Sequence, residues 1–197
     1  MKIEETTLAG VCLIEPDVYR DERGFFLESY NRDRYREVGL DEVFVQDNHS
    51  YSHRGTLRGL HAQSVKPQGK LVRAIEGEIF NVAVDIRVGS PTFAQWVGQT
   101  LTASSFLQLY IPPGFAHGFC VLSPTAQVEY KCTELYDAED ELVVAWDDPE
   151  IGIDWPLAEF VMSERDRAAP RLAMMMDRLP RYDAIPRYDA TARYDTT

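Results

Sequence analysis

"KLVRAIEGEIFNVAVDIRVG", residues 70–89, is the stretch on which the fold turns. Side chains of an extended chain switch sides at every residue, so Val72, Ala74 and Glu76 fall together on one face. Glu76–Gly77 breaks the run, and "EIFNVAVDIR" resumes it. Downstream, "SSFLQLYIPPGFAHGFCVLS" (104–123) and "AQVEYKCTELY" (126–136) continue in the same manner, with Pro112–Pro113 expected to end or bend its strand. From residue 43 to about 146 the text is short β-type runs with turn punctuation and no βαβ rhythm. That spacing predicts an antiparallel sandwich or barrel.

The flanks add little helix. "VCLIEP" (11–16) and "GFFLESY" (24–30) read as extended, parted by the turn-like "DERG". "NRDRYREVGL" (31–40) is the early helix candidate, with Gly39 where a C-terminal cap belongs. "DDPEIGIDWP" (147–156) reads as loop, and "SERDRAAPRLAMMMDRL" (163–179) holds one or two short helical turns, interrupted at Pro170. Ser163 and Asp166 there fit a capping box. One domain over 1–178 is expected, followed by a tail over 179–197 in which Arg-Tyr-Asp recurs at 181, 187 and 193. With no net charge per copy and little to bury, that tail is expected to be flexible or loosely docked.

Composition narrows the class. At 197 residues, 45% hydrophobic and 11% aromatic, the chain can bury a sizeable core. A net charge of −12 repels nucleic acid and anionic membranes, so an anionic partner would have to be a small molecule met by local arginines and lysines. No apolar run is long enough to span a bilayer, and "MKIEETTLAG" lacks a signal-peptide core, which suggests a cytoplasmic protein. Cys12, Cys120 and Cys132 are odd in number and scattered, suiting reduced thiols.

Within "LRGLHAQSVKPQGK" (57–70) stand Arg58, His61, Gln63, Gln68 and Lys70. As a regular strand, alternation places 57, 59, 61 and 63 on one face and 58, 60 and 62 on the other. His117, in "IPPGFAHGF", completes a P-x-G-x-x-H pattern similar to that of cupin-type jelly rolls. Two inward histidines would make a polar site in an apolar cavity. His61, Gln63 and His117 with a carboxylate could also ligate iron, manganese or zinc, although H-x-Q replaces H-x-H. Tyr130 in "VEYKC" reads by itself as a half-buried strand tyrosine.

Seven segments in order, from about residue 8 to 170, resemble the dTDP-4-dehydrorhamnose 3,5-epimerase family. They are "DERGFFLESY", "VQDNHSYSHRGTLRGLHAQ", "PQGKLVRAIEGEIFNVAVDIRVGSPTF", "IPPGFAHGF", "YKCTELY", "WDDPEIGIDWP" and "SERD". The resemblance implies a mainly β, cupin-like jelly-roll sandwich with a few short helices. It also implies a homodimer with N-terminal strand exchange, no metal or other cofactor, and a nucleotide-linked 4-keto-6-deoxyhexose as substrate. His61 matches the family's base, Asp166 the carboxylate that orients it, Lys70 the cation beside the enolate, and Tyr130 the acid. Arg23, Glu28, Gln46, Asn48, Arg58 and Glu141 match positions that hold nucleotide and diphosphate. Tyr136 matches the residue stacked on thymine, and His117 one that contacts the sugar. Ala62, Asn81 and Arg165 depart from the aromatic, aspartate and lysine of the family pattern; Arg165, retaining charge, stays with the binding set. Alternatives are an epimerase inverting only one centre, a metal-dependent isomerase or dioxygenase, and a non-catalytic binding module.

Overall fold

The computed structural model describes residues 1–185, so the Arg-Tyr-Asp copies at 187 and 193 lie outside the described residues. The strands are β1 (Lys2–Glu5), β2 (Cys12–Glu15), β3 (Val18–Asp21), β4 (Gly24–Leu27), β5 (Gln46–His53), β6 (Leu57–Gln63) and β7 (Lys70–Glu76). They continue as β8 (Glu78–Asp85), β9 (Trp96–Thr102), β10 (Gln108–Ile111), β11 (Phe115–Val121), β12 (Thr125–Cys132) and β13 (Glu141–Val143). Two short helices, α1 (Arg32–Glu37) and α2 (Glu164–Arg167), complete the set with a 3-10 turn at Leu172–Met174. The break between α2 and that turn includes Pro170.

One sheet has six strands in the order β1-β2-β10-β7-β12-β5 and the other five, β13-β6-β11-β8-β9. All strand pairings within them are antiparallel, which makes the expected sandwich. The opening stretch supplies the hinge of this arrangement. β7 lies in the first sheet and β8 in the second, and Gly77 between them takes φ +75°. A Cβ there would lie 2.1 Å from the Thr125 carbonyl, so only glycine fits.

Between the sheets Val72 and Ala74 of β7 meet Ile79 and Ala83 of β8, with Leu109, Ile111, Phe115, Phe119 and Val121. β8 is apolar on its other face as well, because Val82, Val84 and Ile86 pack under Leu172, Met175 and Leu179 of the C-terminal segment. The six-stranded sheet is covered in turn by α1, whose Tyr35, with Leu40 just beyond the helix, packs against Ile14, Leu71 and Tyr110. Removing one such side chain from water is worth about 1.5–3 kcal/mol, so each covering adds an apolar interface outside its sheet to the one between the sheets. Gly39 ends α1 as expected. At φ +96° it lets its own amide reach the Arg36 carbonyl (2.9 Å) and the Leu40 amide reach that of Tyr35 (2.9 Å).

Asp85 is fully buried at the end of β8 and is satisfied by Arg87 (2.8 and 2.7 Å), Ser90 (2.5 Å) and Thr92 (2.7 Å). Burial pushes its pKa up, but the bonds from Arg87 and the two hydroxyls outweigh this and hold it below the usual carboxylate range. The Arg87 guanidinium lies 4.3 Å from the centre of the Phe115 ring and 4.9 Å from that of Tyr182. The described start of the tail is therefore packed, not loose: Tyr182 donates its amide to the Val88 carbonyl (3.1 Å), and Leu179 and Ile185 are buried. Among the described residues no helix is long and apolar enough to cross a membrane.

Candidate active site

A cleft opens between the sheets as two adjoining lobes of about 250 and 340 Å³. His61, Lys70 and Tyr130 line both. The five-stranded sheet contributes His61 from β6 and His117 from β11, which are direct cross-strand partners. The six-stranded sheet faces them with Lys70 from β7 and Tyr130 from β12. α2 closes one side with Arg165 and Asp166.

Arg58 shares the inner lobe with His61, which strict alternation forbids. The correction comes from the pairing of β6 with β11, where His61 faces His117 but Arg58 faces Phe119. Three steps on β6 thus span two on β11, a bulge that resets the alternation and turns both side chains into the cleft. Gly59 permits it. Its φ is +113°, and a Cβ would stand 2.6 Å from the His117 carbonyl oxygen. Ala62 packs with Val82, Val84 and Leu142 and also borders the outer lobe.

His61 Nε2 lies 2.6 Å from Asp166 Oδ1. The Ser163 hydroxyl accepts the Asp166 amide proton (3.0 Å), so half of the capping box forms, while the Asp166 carboxylate is turned to His61. Burial pushes the Asp166 carboxyl up, but the hydrogen bond and charge of His61, then Ser163 and the Gly59 amide, bring it below the ordinary value. It is ionised at neutral pH and fixes a proton on Nε2, leaving Nδ1 of His61 as the free basic nitrogen.

Lys70 is buried and donates to the His61 carbonyl (3.3 Å). Burial lowers its pKa, against the opposing influence of Cys132 and Glu141. Tyr130 is shifted the other way, up, chiefly by burial, so its hydroxyl keeps its proton at neutral pH. Its ring centre is 6.1 Å from that of His117.

The outer lobe gathers Gln46, Asn48, Gln63, Gln68, Tyr136 and Glu141. Tyr136 donates its hydroxyl to Glu141 (2.7 Å) and its amide to Gln46 (2.8 Å), and Arg165 pairs with the same Glu141 carboxylate. In the inner lobe, Arg58 bonds neutral partners, with Nε 3.1 Å from the Ser52 hydroxyl, and its guanidinium borders open space. Sequence reasoning missed Ser50 and Phe119 as lining residues. The Ser50 hydroxyl is buried without a partner among the described residues, a signal no residue spacing carries.

Two expected binding residues are not brought to this cleft within one chain. Arg23 sits at the tip of the β3–β4 hairpin, paired with Asp21 (2.5 Å), and Glu28 is tied to Arg34 (2.8 Å) beside a separate small cavity. The hairpin pairs with neither large sheet and leaves Tyr19, Phe25 and Phe26 exposed. Of the residues weighed as metal ligands, His61 and His117 share the inner lobe, but each is engaged elsewhere, His61 with Asp166. Gln63 turns its amide to the Lys66 and Leu135 carbonyls, and His117 gives Nε2 to Asn81. Among the described residues no three His, Cys, Asp or Glu side chains gather as a metal's donors would.

Ionisable groups converging between the sheets of an antiparallel sandwich place the protein among the cupin-like enzymes. A solved structure of the dTDP-6-deoxy-D-glucose-3,5-epimerase from Legionella pneumophila, in complex with dTDP-4-keto-L-rhamnose, superposes with a TM-score of 0.89 at 50% identity. The match covers 92% of this chain and 98% of that one. The chain belongs to the dTDP-4-dehydrorhamnose 3,5-epimerase family, whose model matches residues 5–174. The enzyme of that name from Methanothermobacter thermautotrophicus is 54% identical over 83% of this chain and 90% of its own. That from Pseudomonas aeruginosa is 53% identical, over 88% and 97%.

Proposed function

We propose that the protein is a dTDP-4-dehydro-6-deoxy-D-glucose 3,5-epimerase, forming dTDP-4-dehydro-L-rhamnose by proton removal and return. The observation that carries this reading is the His61–Asp166 pair set across one cleft from Lys70 and Tyr130. Hydrogens on C3 and C5 are acidic because the ketone at C4 accepts the electron pair. His61 Nδ1 takes the proton, the C–H pair becomes the enolate double bond, and the carbonyl pair moves onto oxygen. The Lys70 ammonium faces that oxyanion in a water-poor setting, where a cation acts strongly. As the oxyanion's pair re-forms the carbonyl, the enolate carbon takes the Tyr130 hydroxyl proton on its opposite face; solvent then reprotonates Tyr130 and removes the proton held by His61, which resets the pair for the second centre. Such chemistry asks for no metal, so product of L-rhamno configuration, read from proton couplings, is expected with a chelator present. Unchanged starting material would defeat the reading.

Arg58 and Arg165 are assigned to the diphosphate, for which a planar guanidinium offers paired donors. Gln46, Asn48 and Glu141 hold the nucleotide, Tyr136 stacks on its base, and His117 meets the sugar. Arg23 and Glu28 reach the cleft of a second copy in a homodimer formed by N-terminal strand exchange. The exposed aromatics of the β3–β4 hairpin support this, because that much apolar surface favours burial against a partner. Buried free thiols at Cys12, Cys120 and Cys132 support a cytoplasmic setting.

A dimer sharing residues across subunits makes a complementation prediction. Arg23→Ala and His61→Ala chains, each weak alone, are mixed by co-expression. Random pairing then leaves about a quarter of the sites with both native residues. Activity near that fraction is expected, and activity no higher than either parent would remove Arg23 from the shared site.

A further inference from the structure

Asn81 has no place in the scheme above, yet it touches one of the cleft residues. It stands on the inner face of β8, fully buried, with its Oδ1 2.8 Å from His117 Nε2. Its Nδ2 is also buried and has no partner among the described residues. A buried amide donor left unsatisfied costs about 1–3 kcal/mol, so Asn81 is a poor choice for packing alone. Its oxygen, by contrast, is engaged by the His117 ring.

That oxygen can only accept, so the pairing requires the proton on His117 Nε2. A neutral ring then carries its lone pair on Nδ1, which makes no hydrogen bond among the described residues. The inner lobe's titratable and charged groups are Lys70 on β7, His61 and Arg58 on β6, Tyr130 on β12, and Arg165 and Asp166 on α2, while Tyr136 and Glu141 stand in the outer lobe. Burial first, then the charges of Lys70 and His61, lower the His117 pKa well below the ordinary value. Asn81 brings no negative charge that would counter them. A lone pair directed among cations is also favoured over an N–H there.

We infer that Asn81 is a positioning residue: it fixes His117 as the neutral Nε2–H tautomer, whose Nδ1 accepts a hydroxyl of the bound sugar and so turns the ketone toward Lys70. A ketone oxygen is itself only an acceptor and is repelled by such a nitrogen, whereas a ring hydroxyl is attracted. The inference rests on the proposed function for the identity of the sugar, but the tautomer stands on the free protein alone.

Nitrogen-15 correlation spectra of histidine-labelled protein, without ligand, test the first half. Nδ1 of His117, assigned through a His117→Asn control, should show the shift of a bare ring nitrogen from about pH 6 to 9. A protonated Nδ1 in that range overturns the inference. The second half uses Asn81→Asp, which supplies the missing charge. His117 should then titrate in the accessible range. KM for dTDP-4-keto-6-deoxyglucose should rise by about tenfold or more between pH 8 and pH 6 relative to the parent, with kcat changed far less, since a lost hydroxyl bond is worth roughly that factor. A variant in which His117 titrates while KM keeps the parent's pH dependence overturns it too. Should the parent fail to epimerise this sugar, the proposed function falls, and the ligand-free spectrum still decides the tautomer.

Discussion

Replacing His61 by alanine is expected to lower turnover by about 10³-fold or more and to stop exchange of the sugar's ring hydrogens with solvent. The loss is large because the base is a built unit rather than a lone imidazole. Asp166, nearly buried and ionised, pins Nε2 at 2.6 Å, so the basic nitrogen points into the cleft without a search over tautomers. The variant should still fold, since His61 is part-exposed. It leaves the Asp166 carboxylate with Ser163 and the Gly59 amide only. Asp166 titrates below the ordinary carboxylate value in the native protein, so its contribution to stability is complete above about pH 3.9 and is lost as pH falls through its own lower pKa. Without His61 that protection shrinks, and acid denaturation should begin at higher pH. A single-turnover exchange assay and an acid titration of both proteins check the two parts. Exchange at the parent rate would remove His61 from the role of base.

Tyr130→Phe should give a different failure. The base, its carboxylate and Lys70 remain, so deprotonation continues and solvent deuterium enters the substrate. What is missing is the proton donor on the opposite face, and the enolate is returned by His61 to the face it left. Epimerised product should fall by about 10²-fold or more while exchange persists. Burial raises the tyrosine pKa, so in the parent the donor is charged with its proton throughout the neutral range and is not the group that limits activity on the alkaline side near neutrality. Comparing exchange with inversion in the same sample separates the two functions. Parallel loss of both would place Tyr130 in substrate binding instead.

The two expectations differ in how they could be read. Alternation made β7 legible and the break at Gly77 made the start of β8 legible, while Gly39 and Pro170 mark where helices stop. The apolar run of β8 concealed that its outer face is covered by the C-terminal segment, since a strand buried on both sides loses its period. The site was less accessible. His61 and Asp166 lie 105 residues apart, and no local spacing links them; the family resemblance alone joined them. Ser163–Asp166 looked like a cap, and the cap does form, but a backbone motif cannot reveal that the carboxylate is turned elsewhere. Strict alternation puts Arg58 on the wrong face because a bulge is a property of two strands, and only one of them is visible in "LRGLHAQ". Arg23 and Glu28 lie beyond the cleft of their own chain, so reading them as site residues presupposes a second chain. The first Arg-Tyr-Asp copy docks because Arg87 offers its Tyr182 a cation, a partner set far away in sequence.

Proton NMR of dTDP-4-keto-6-deoxyglucose with the protein in deuterated water addresses the central claim most directly. The account predicts that the C3 and C5 proton signals both disappear as deuterium replaces them and that the L-rhamno product accumulates, neither occurring with His61→Ala. Deuterium at C3 alone would contradict inversion at two centres, and none at either position would contradict the epimerase itself.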